Sequence, residues 1–400
     1  MVHGGYALAR LASGEVCLVR NAIPGETVQA HLERAGGVLR GNTLEVLNES
    51  PDRVERQAHP GLDYSHVAYP RQLALKRDVL VDAMQRAGIR DAPQVGPVAA
   101  SPNIWRYRAV IQPAVTPDGL GYRQPDSHQT VTLETDPTAN HALQAAWAML
   151  QNQTLRHARE IVLRGNDNGD VLAAAIVPVA NDETLAWAKG LLQEPVVGVA
   201  VASETTQGRF RAGKSHVAGE RRLLQRYGRL DLSVTATAFA QPNPAAAGRL
   251  VDALLAMPLG GHNLLDLYGG SGLFGLHLAD RFTDVTVVDT AAESIERGRS
   301  DAQRLGLDHV HFARGDARRL TLQSADTVLV DPPRAGLAKP LRQAITESDA
   351  QTLVYVACDP ASWSRDTSDF INQGWRLESV QPFDFQPHTH HLELLSRLVR

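Results

Sequence analysis

The first fifty residues alternate short apolar runs with turn-forming pairs. Runs at 6–11, 16–19, 28–32 and 44–47 are separated by Ser13-Gly14, Pro24-Gly25 and Gly36-Gly37, a spacing that predicts a small antiparallel β-barrel. Cys17 falls inside one of these runs, as a small buried hydrophobe does. A helical period follows: Leu73, Leu80, Met84 and Ala87 share one face over residues 72–87, with Gly88 as the stop signal. Between 91 and 231 the signals are mixed, with strands predicted at 108–115 and 161–163 and helices at 141–151 and 183–192. That mixture predicts an α+β domain. From Asn243 onward strand and helix alternate: apolar runs at 264–267, 285–288, 327–330 and 353–357 are spaced by helical stretches such as 291–305. Such alternation predicts a parallel sheet with right-handed crossovers.

Length and composition narrow the class. Four hundred residues, 43% apolar and 21% charged, suit two or three domains with real cores. A net charge of -4 gives no global positive field, so any polyanion must be held by a local patch. The one basic stretch contains Arg209, Arg211, Lys214, Arg221, Arg222, Arg226 and Arg229, opposed only by Glu204 and Glu220. Phe210 and Tyr227 lie among them, so the stretch is a candidate phosphate track with stacking aromatics or else a solvated surface. Two cysteines, Cys17 and Cys358, cannot build a disulfide framework or a thiolate metal cage. With no apolar leader in MVHGGYALAR and no run long enough to span a bilayer, a cytoplasmic protein without membrane contact is expected.

The chemistry collects at the ends of the four C-terminal runs. Asp266-Leu-Tyr-Gly-Gly-Ser-Gly272 follows the first, Asp289 the second, Asp331-Pro-Pro-Arg334 the third and Cys358-Asp-Pro360 the fourth. In an open parallel sheet these ends line one crevice. Gly269, Gly270 and Gly272 permit a tight turn with close backbone approach to a ligand, and Asp289 is placed to accept both ribose hydroxyls of an adenosine. NAD and S-adenosylmethionine fit that pattern equally. Asp316, after a further short run, is a candidate for the adenine amino group. Arg334 stands where methyltransferases of exocyclic amines often carry a stacking aromatic, which argues against amine methylation. Cys358 has the setting of a nucleophile, with Arg365 nearby in sequence to favour a thiolate. His388, His390 and His391 cluster in Pro387-His-Thr-His-His-Leu-Glu393, but strand alternation sends them to different faces, so no metal site is expected. Glu393, set among Leu392, Leu394 and Leu395, is a candidate base with a raised pKa.

Taken together, these motifs resemble the S-adenosylmethionine-dependent RNA 5-methyluridine methyltransferases of bacteria over nearly the whole chain. His3-Gly-Gly-Tyr6, Ile23-Pro-Gly-Glu26 and Ser50-Pro-Asp-Arg53 are similar to a TRAM domain, an RNA-binding β-barrel. Phe239-Ala-Gln-Pro-Asn243 is similar to the family's cofactor-contacting segment. Asp331-Pro-Pro-Arg-Ala-Gly336, Ala357-Cys-Asp-Pro-Ala-Ser-Trp-Ser-Arg-Asp366 and the 387–393 segment resemble its catalytic signatures. The resemblance implies an α/β fold with three parts: a TRAM-like barrel over 1–54, a central α+β domain over 55–230 that contacts RNA, and a Rossmann-like methyltransferase domain over 231–400. It implies Cys358 as nucleophile and Glu393 as base, with Gln241, Tyr268, Gly270, Gly272, Asp289, Asp316 and Asp331 lining the cofactor and substrate site and Arg334 facing the substrate. Many members carry an iron-sulfur cluster before the helix at 72–87. Here His59-Pro-Gly-Leu-Asp-Tyr-Ser-His66 holds no cysteine, so no cluster is expected.

The expected reaction is methyl transfer from S-adenosylmethionine to C5 of an unpaired or flipped uridine. The TRAM-like start favours 23S ribosomal RNA as partner, with tRNA as the alternative. Nothing in the sequence points to an obligate protein partner. Three rivals stay open: an amine-directed methyltransferase that tolerates loss of Cys358, a nicotinamide oxidoreductase, and a non-catalytic RNA-binding protein.

Overall fold

A computed structural model describes the whole chain apart from residues 91–92, 126, 128, 205–213, 320–321 and 323–324. The N-terminal runs are four strands, β1 (Ala7–Arg10), β2 (Val16–Arg20), β3 (Thr27–Ala35) and β4 (Val38–Asn48), in the order β1-β2-β4-β3. The sheet is mixed, not wholly antiparallel as the spacing predicted. The tight turn at Gly36-Gly37 pairs β4 with β3, and β4 then inserts beside β2, to which it runs parallel. No ladder joins β1 to β3 among the described residues. Alternation along β2 sends Cys17 and Val19 inward, each 1% exposed, and leaves Val16 outside.

Helix α1 (Tyr69–Arg86) carries Pro70 in its first turn and ends where Gly88 takes φ of 75°. It buries Gln72, Leu75, Lys76, Leu80 and Met84, and Leu80 and Met84 join Trp363 and Phe370 in a core on one face of the C-terminal sheet.

The central sheet has the order β12-β11-β10-β9-β6-β7-β8. Its elements are β5 (Val110–Ile111), which pairs with β9 at the side, β6 (Ala114–Thr116), β7 (Gly119–Arg123), β8 (Thr130–Thr132), β9 (Glu160–Gly165), β10 (Val171–Val177), β11 (Val196–Ser203) and β12 (Lys214–Gly219), with α2 (His141–Gln151) and α3 (Asp182–Lys189). Every residue of β9 and β10 is buried. Strands covered on both faces lose the polar alternation that marks a strand in sequence.

A hairpin, β13 (Leu223–Tyr227) and β14 (Leu230–Val234), packs against α4 (Pro244–Ala256) and leads into the second large sheet. That sheet is built from β15 (Gly261–Leu267), α5 (Leu273–Leu278), β16 (Phe282–Asp289), α6 (Ala292–Arg304), β17 (Val310–Arg314), β18 (Thr327–Val330), α7 (Lys339–Glu347), β19 (Thr352–Ala357), α8 (Pro360–Asn372), β20 (Arg376–Phe383) and β21 (Glu393–Val399). Its order is β17-β16-β15-β18-β19-β21-β20, parallel except for β21, which runs antiparallel to both neighbours. All four predicted C-terminal strands are present. The connections leave β15 in one direction and β18 in the other, so the crevice between their carboxyl ends is the topological switch point where α/β sheets bind ligands.

The basic stretch is only partly as expected. Arg209, Phe210 and Arg211 lie outside the described residues. Tyr227 is 3% exposed and so cannot stack on a base; its ring is a core contact of α4 and β14. Arg222 donates to Ser300, Arg226 pairs with Asp231, and Arg229 donates to the His277 carbonyl. Among the described residues no helix is long and apolar enough to cross a membrane.

Candidate active site

The chain leaves β15 through a turn built on left-handed backbone. Tyr268 and Gly270 both take φ of 58°, and Gly272, at φ of 82°, caps α5. A Cβ on Gly269 would lie 2.6 Å from Val287, and one on Gly272 would lie 2.8 Å from the Phe312 ring. Gly270 has open space on its Cβ side, so its need is the left-handed backbone and not the room. Two carboxylates hold the turn. Asp266, fully buried, accepts the Gly275 N–H at 3.0 Å, while its other oxygen has no partner and burial pushes its pKa up to about 8. Asp289 accepts the Gly270 N–H at 3.1 Å and the Ala291 N–H at 2.7 Å, tying the turn to the end of β16.

Eight of the ten residues singled out from sequence line one cleft of about 670 Å³: Gln241, Tyr268, Gly270, Asp289, Asp331, Arg334, Cys358 and Glu393. Gly272 stands behind it as the α5 cap. Asp316 lies in an adjoining cleft that shares Tyr268 and Asp289, with its carboxylate gripped by Arg318 (Nη2 to Oδ2 2.7 Å).

Cys358 and Glu393 meet through strand register. Ala357 pairs with Leu394 in the antiparallel β19–β21 ladder, so the next step along the ladder sets Cys358 opposite Glu393. Cys358 is half-buried. Its thiol is pushed up to about 12, first by burial and then by the charges of Glu393 and Asp331, with Arg334 opposing them. Burial, followed by Asp331, raises the Glu393 carboxyl well above the ordinary range. Asp331 is raised to about 7 by burial and by Asp289.

Arg365 does not play the part its sequence position suggested. Helix α8 aims it away from the thiol, where it clamps the Asp366 carboxylate (Nη2 to Oδ1 2.7 Å) and the Ala335 carbonyl. The cation acting on Cys358 is Arg334, whose Nη2 lies 3.2 Å from the His391 ring. The three histidines occupy a loop before β21, not a strand, and each has its own partner: His388 stacks on Trp105 with ring centroids 3.7 Å apart, His390 bonds Asp63, and His391 contacts Arg334. Sequence reasoning did not single out Asp359, which caps α8 by accepting the Ser362 N–H at 2.8 Å. The signal was present in the Asp-Pro pair, since Pro favours the first helical position after a capping acid.

Three acids with raised pKa values, Asp266, Asp331 and Glu393, set how the stability of the ligand-free protein depends on pH. An acid whose folded pKa exceeds its unfolded value binds more protons when folded, so its contribution to stability is lost as pH rises. Melting temperature should therefore fall as pH rises from about 4, the ordinary carboxylate range, through about 7 and about 8, the folded values of Asp331 and Asp266. Asp331→Asn should flatten that slope in a thermal scan. An unchanged slope would remove Asp331 from the strained set.

Comparison with known proteins agrees with this geometry. Residues 189–399 match the family model described as tRNA (Uracil-5-)-methyltransferase. An uncharacterized RNA methyltransferase of Streptomyces avermitilis is 30% identical over 100% of this chain and 96% of its own length, and one of Gloeobacter violaceus is 29% identical over 99% and 94%. Among solved structures, the Pyrococcus abyssi tRNA (uracil-54, C5)-methyltransferase in complex with S-adenosyl-L-homocysteine is 25% identical with a TM-score of 0.80, covering 98% of this chain and 100% of that one.

Proposed function

The chain belongs to the tRNA (uracil-5-)-methyltransferase family, and from that premise we propose that it methylates C5 of a uridine in tRNA through a covalent Cys358 adduct, with S-adenosylmethionine as methyl donor. The observation that carries the proposal is that Cys358 and Glu393, at the adjoining ends of two paired strands, line the same cleft as the glycine turn, with Glu393 acting on the thiol.

The site suits a cationic adenosine. Asp331 and Glu393 are held above their ordinary range chiefly by burial, one oxygen of buried Asp266 has no partner, and Arg334 favours the thiolate of Cys358. A positive ligand in the cleft favours the ionised form of Asp331 and Glu393, which both line it. Asp289 and the glycine turn would hold the ribose, with Gln241, Tyr268 and Asp316 around the rest of the nucleoside. S-adenosylmethionine supplies an electrophilic methyl group on a sulfonium.

The protein's own residues do the remainder. Uracil C5 is too weak a nucleophile unaided, so the Cys358 thiolate adds to C6 and the electron pair moves through the ring to leave carbanion character at C5. Once C5 carries the methyl group, Glu393 takes the C5 proton, the C5–C6 double bond reforms and the thiolate is expelled. Reaching C6 requires an unpaired or extruded base. The outer face of the N-terminal sheet offers one place to hold the surrounding RNA: Arg20 lies over the Tyr6 ring at 4.7 Å, and Leu8 and Arg10 are exposed beside it. That arrangement supports the TRAM-like reading of this region.

A TRAM-like start favours ribosomal RNA only if tRNA enzymes lack it. The Pyrococcus abyssi tRNA enzyme matches 98% of this chain, N-terminal region included, so the feature does not discriminate. That likeness supports tRNA as substrate.

The test is transfer of labelled methyl from S-adenosylmethionine to purified tRNA and 23S ribosomal RNA, with nucleosides resolved by mass spectrometry. 5-Methyluridine in tRNA is the expected product. Label in ribosomal RNA alone would move the target, and label on an exocyclic amine would sink the chemistry. Asp289→Ala should weaken S-adenosylmethionine binding about ten- to a hundredfold by calorimetry, the loss of a charged hydrogen-bond acceptor. Unchanged affinity would take Asp289 out of the cofactor site.

A further inference from the structure

The amino-terminal hairpin reaches into the catalytic domain. Val2 and Tyr6 bridge across it, and Gly4 and Gly5 turn it with φ of 88° and 80°. Gly5 sits so close to the domain behind it that a Cβ there would fall 2.2 Å from Asp63 Oδ2. The Asp63 carboxylate in turn holds both the N–H and the ring of His390, on the loop leading to Glu393. Between hairpin and catalytic loop lies a small cavity of about 40 Å³ whose wall includes His3, Arg334, Cys358, Asp359 and His391.

His3 closes this contact. Its Nε2 lies 3.1 Å from Asp359 Oδ2, while Asp359 Oδ1 accepts the Ser362 N–H that starts α8. Asp359 follows the nucleophile directly, so its carboxylate fixes the backbone on which Cys358 is presented. Its charge also acts on the thiol, in the direction that disfavours the thiolate. We propose that His3 is a positioning residue of the reaction: by holding Asp359 it fixes the peptide that presents Cys358 and offsets a negative charge beside the sulfur. The inference rests on the reading of Cys358 as nucleophile. It makes the N-terminal sheet continuous with the catalytic centre, because β1 begins where the hairpin ends.

The effect belongs to chemistry and not to folding. His3 is 53% exposed, and a polar contact so exposed adds little stability, whereas a small misplacement of a reacting group can cost up to about a hundredfold in rate. The experiment compares His3→Ala and His3→Gln in the full chain. Alkylation of Cys358 by iodoacetamide, without RNA or S-adenosylmethionine, is followed by peptide mass so that Cys17 is scored separately. The kcat for 5-methyluridine, the KM for S-adenosylmethionine and the melting temperature are measured alongside.

With His3→Ala, alkylation of Cys358 should slow about threefold or more and kcat should fall about tenfold. KM and melting temperature should hold, and His3→Gln, which can still donate to Asp359, should recover most of both rates. An unchanged or faster alkylation rate overturns the proposal, as does equal loss in both variants that tracks a lower melting temperature. A chain inactive on uridine whose Cys358 still responds to His3 removes the proposed function and leaves this coupling standing. An active chain whose Cys358 ignores His3 removes the coupling alone.

Discussion

Replacing Cys358 by alanine should lower 5-methyluridine formation by at least about ten-thousand-fold, the scale of loss when a covalent nucleophile is removed, while S-adenosylmethionine binding survives. The two effects separate because the thiol and the glycine turn sit on different strand ends. Cys358 follows β19, whereas the turn follows β15 and is held by Asp266 and Asp289. The fold should tolerate the change, since Cys358 is only half-buried and alanine removes one sulfur atom. Calorimetry with S-adenosylmethionine and nucleoside mass spectrometry on the same preparation check both halves. Activity within tenfold of the parent would exclude covalent catalysis and return the amine-directed alternative.

The thiol also shows why the site needs a cation. Pushed up to about 12, the thiol stays protonated at neutral pH in the protein free of ligand. Arg334 opposes that shift without cancelling it. A bound sulfonium acts on the same balance as Arg334, so the nucleophile is best ionised when the methyl donor is already in place.

What the sequence disclosed follows from where physics leaves a local mark. Strand ends in a parallel sheet carry their chemistry as short polar signatures, so Asp289, Asp331 and Cys358 could be assigned to one crevice from residues alone, whereas Asp266, read with them, is fully buried behind the turn. Helix α2 was legible because its apolar positions recur at helical spacing and Asn140 caps it through the Leu143 N–H. Strand β10 was visible only as an apolar run, because burial on both faces erases alternation. The parallel pairing of β2 with β4 was hidden for a different reason: register between non-adjacent strands is settled by packing and leaves no pattern in either strand. Side-chain direction was the commonest loss. Arg365 was nearer to Cys358 in sequence than Arg334, yet α8 turns it toward Asp366, and Tyr227 in a basic stretch proved to be core. The His3–Asp359 contact spans almost the entire chain, and no sequence pattern links its ends.

Glu393→Gln separates the steps of the reaction. In the proposed reaction, addition of Cys358 to C6 and methylation at C5 both precede removal of the C5 proton, so a variant without the base should stall with RNA still attached. A covalent protein–RNA species that survives denaturing electrophoresis and carries the transferred methyl group is expected to accumulate, while turnover falls about a hundred- to ten-thousandfold. The glutamate is suited to this task by its surroundings. Held well above its ordinary range by burial and by Asp331, it is a stronger base when ionised than a solvated carboxylate, and a cation in the cleft favours that ionised form. Glutamine keeps the shape and a hydrogen-bonding carbonyl but cannot take the proton, so the adduct should form at a nearly normal rate and then persist. The double variant with Cys358→Ala should give no adduct, which ties the trapped species to that sulfur. Normal turnover in Glu393→Gln would assign proton removal to another group, and Asp331, the other raised acid acting on the thiol, would be the next to replace.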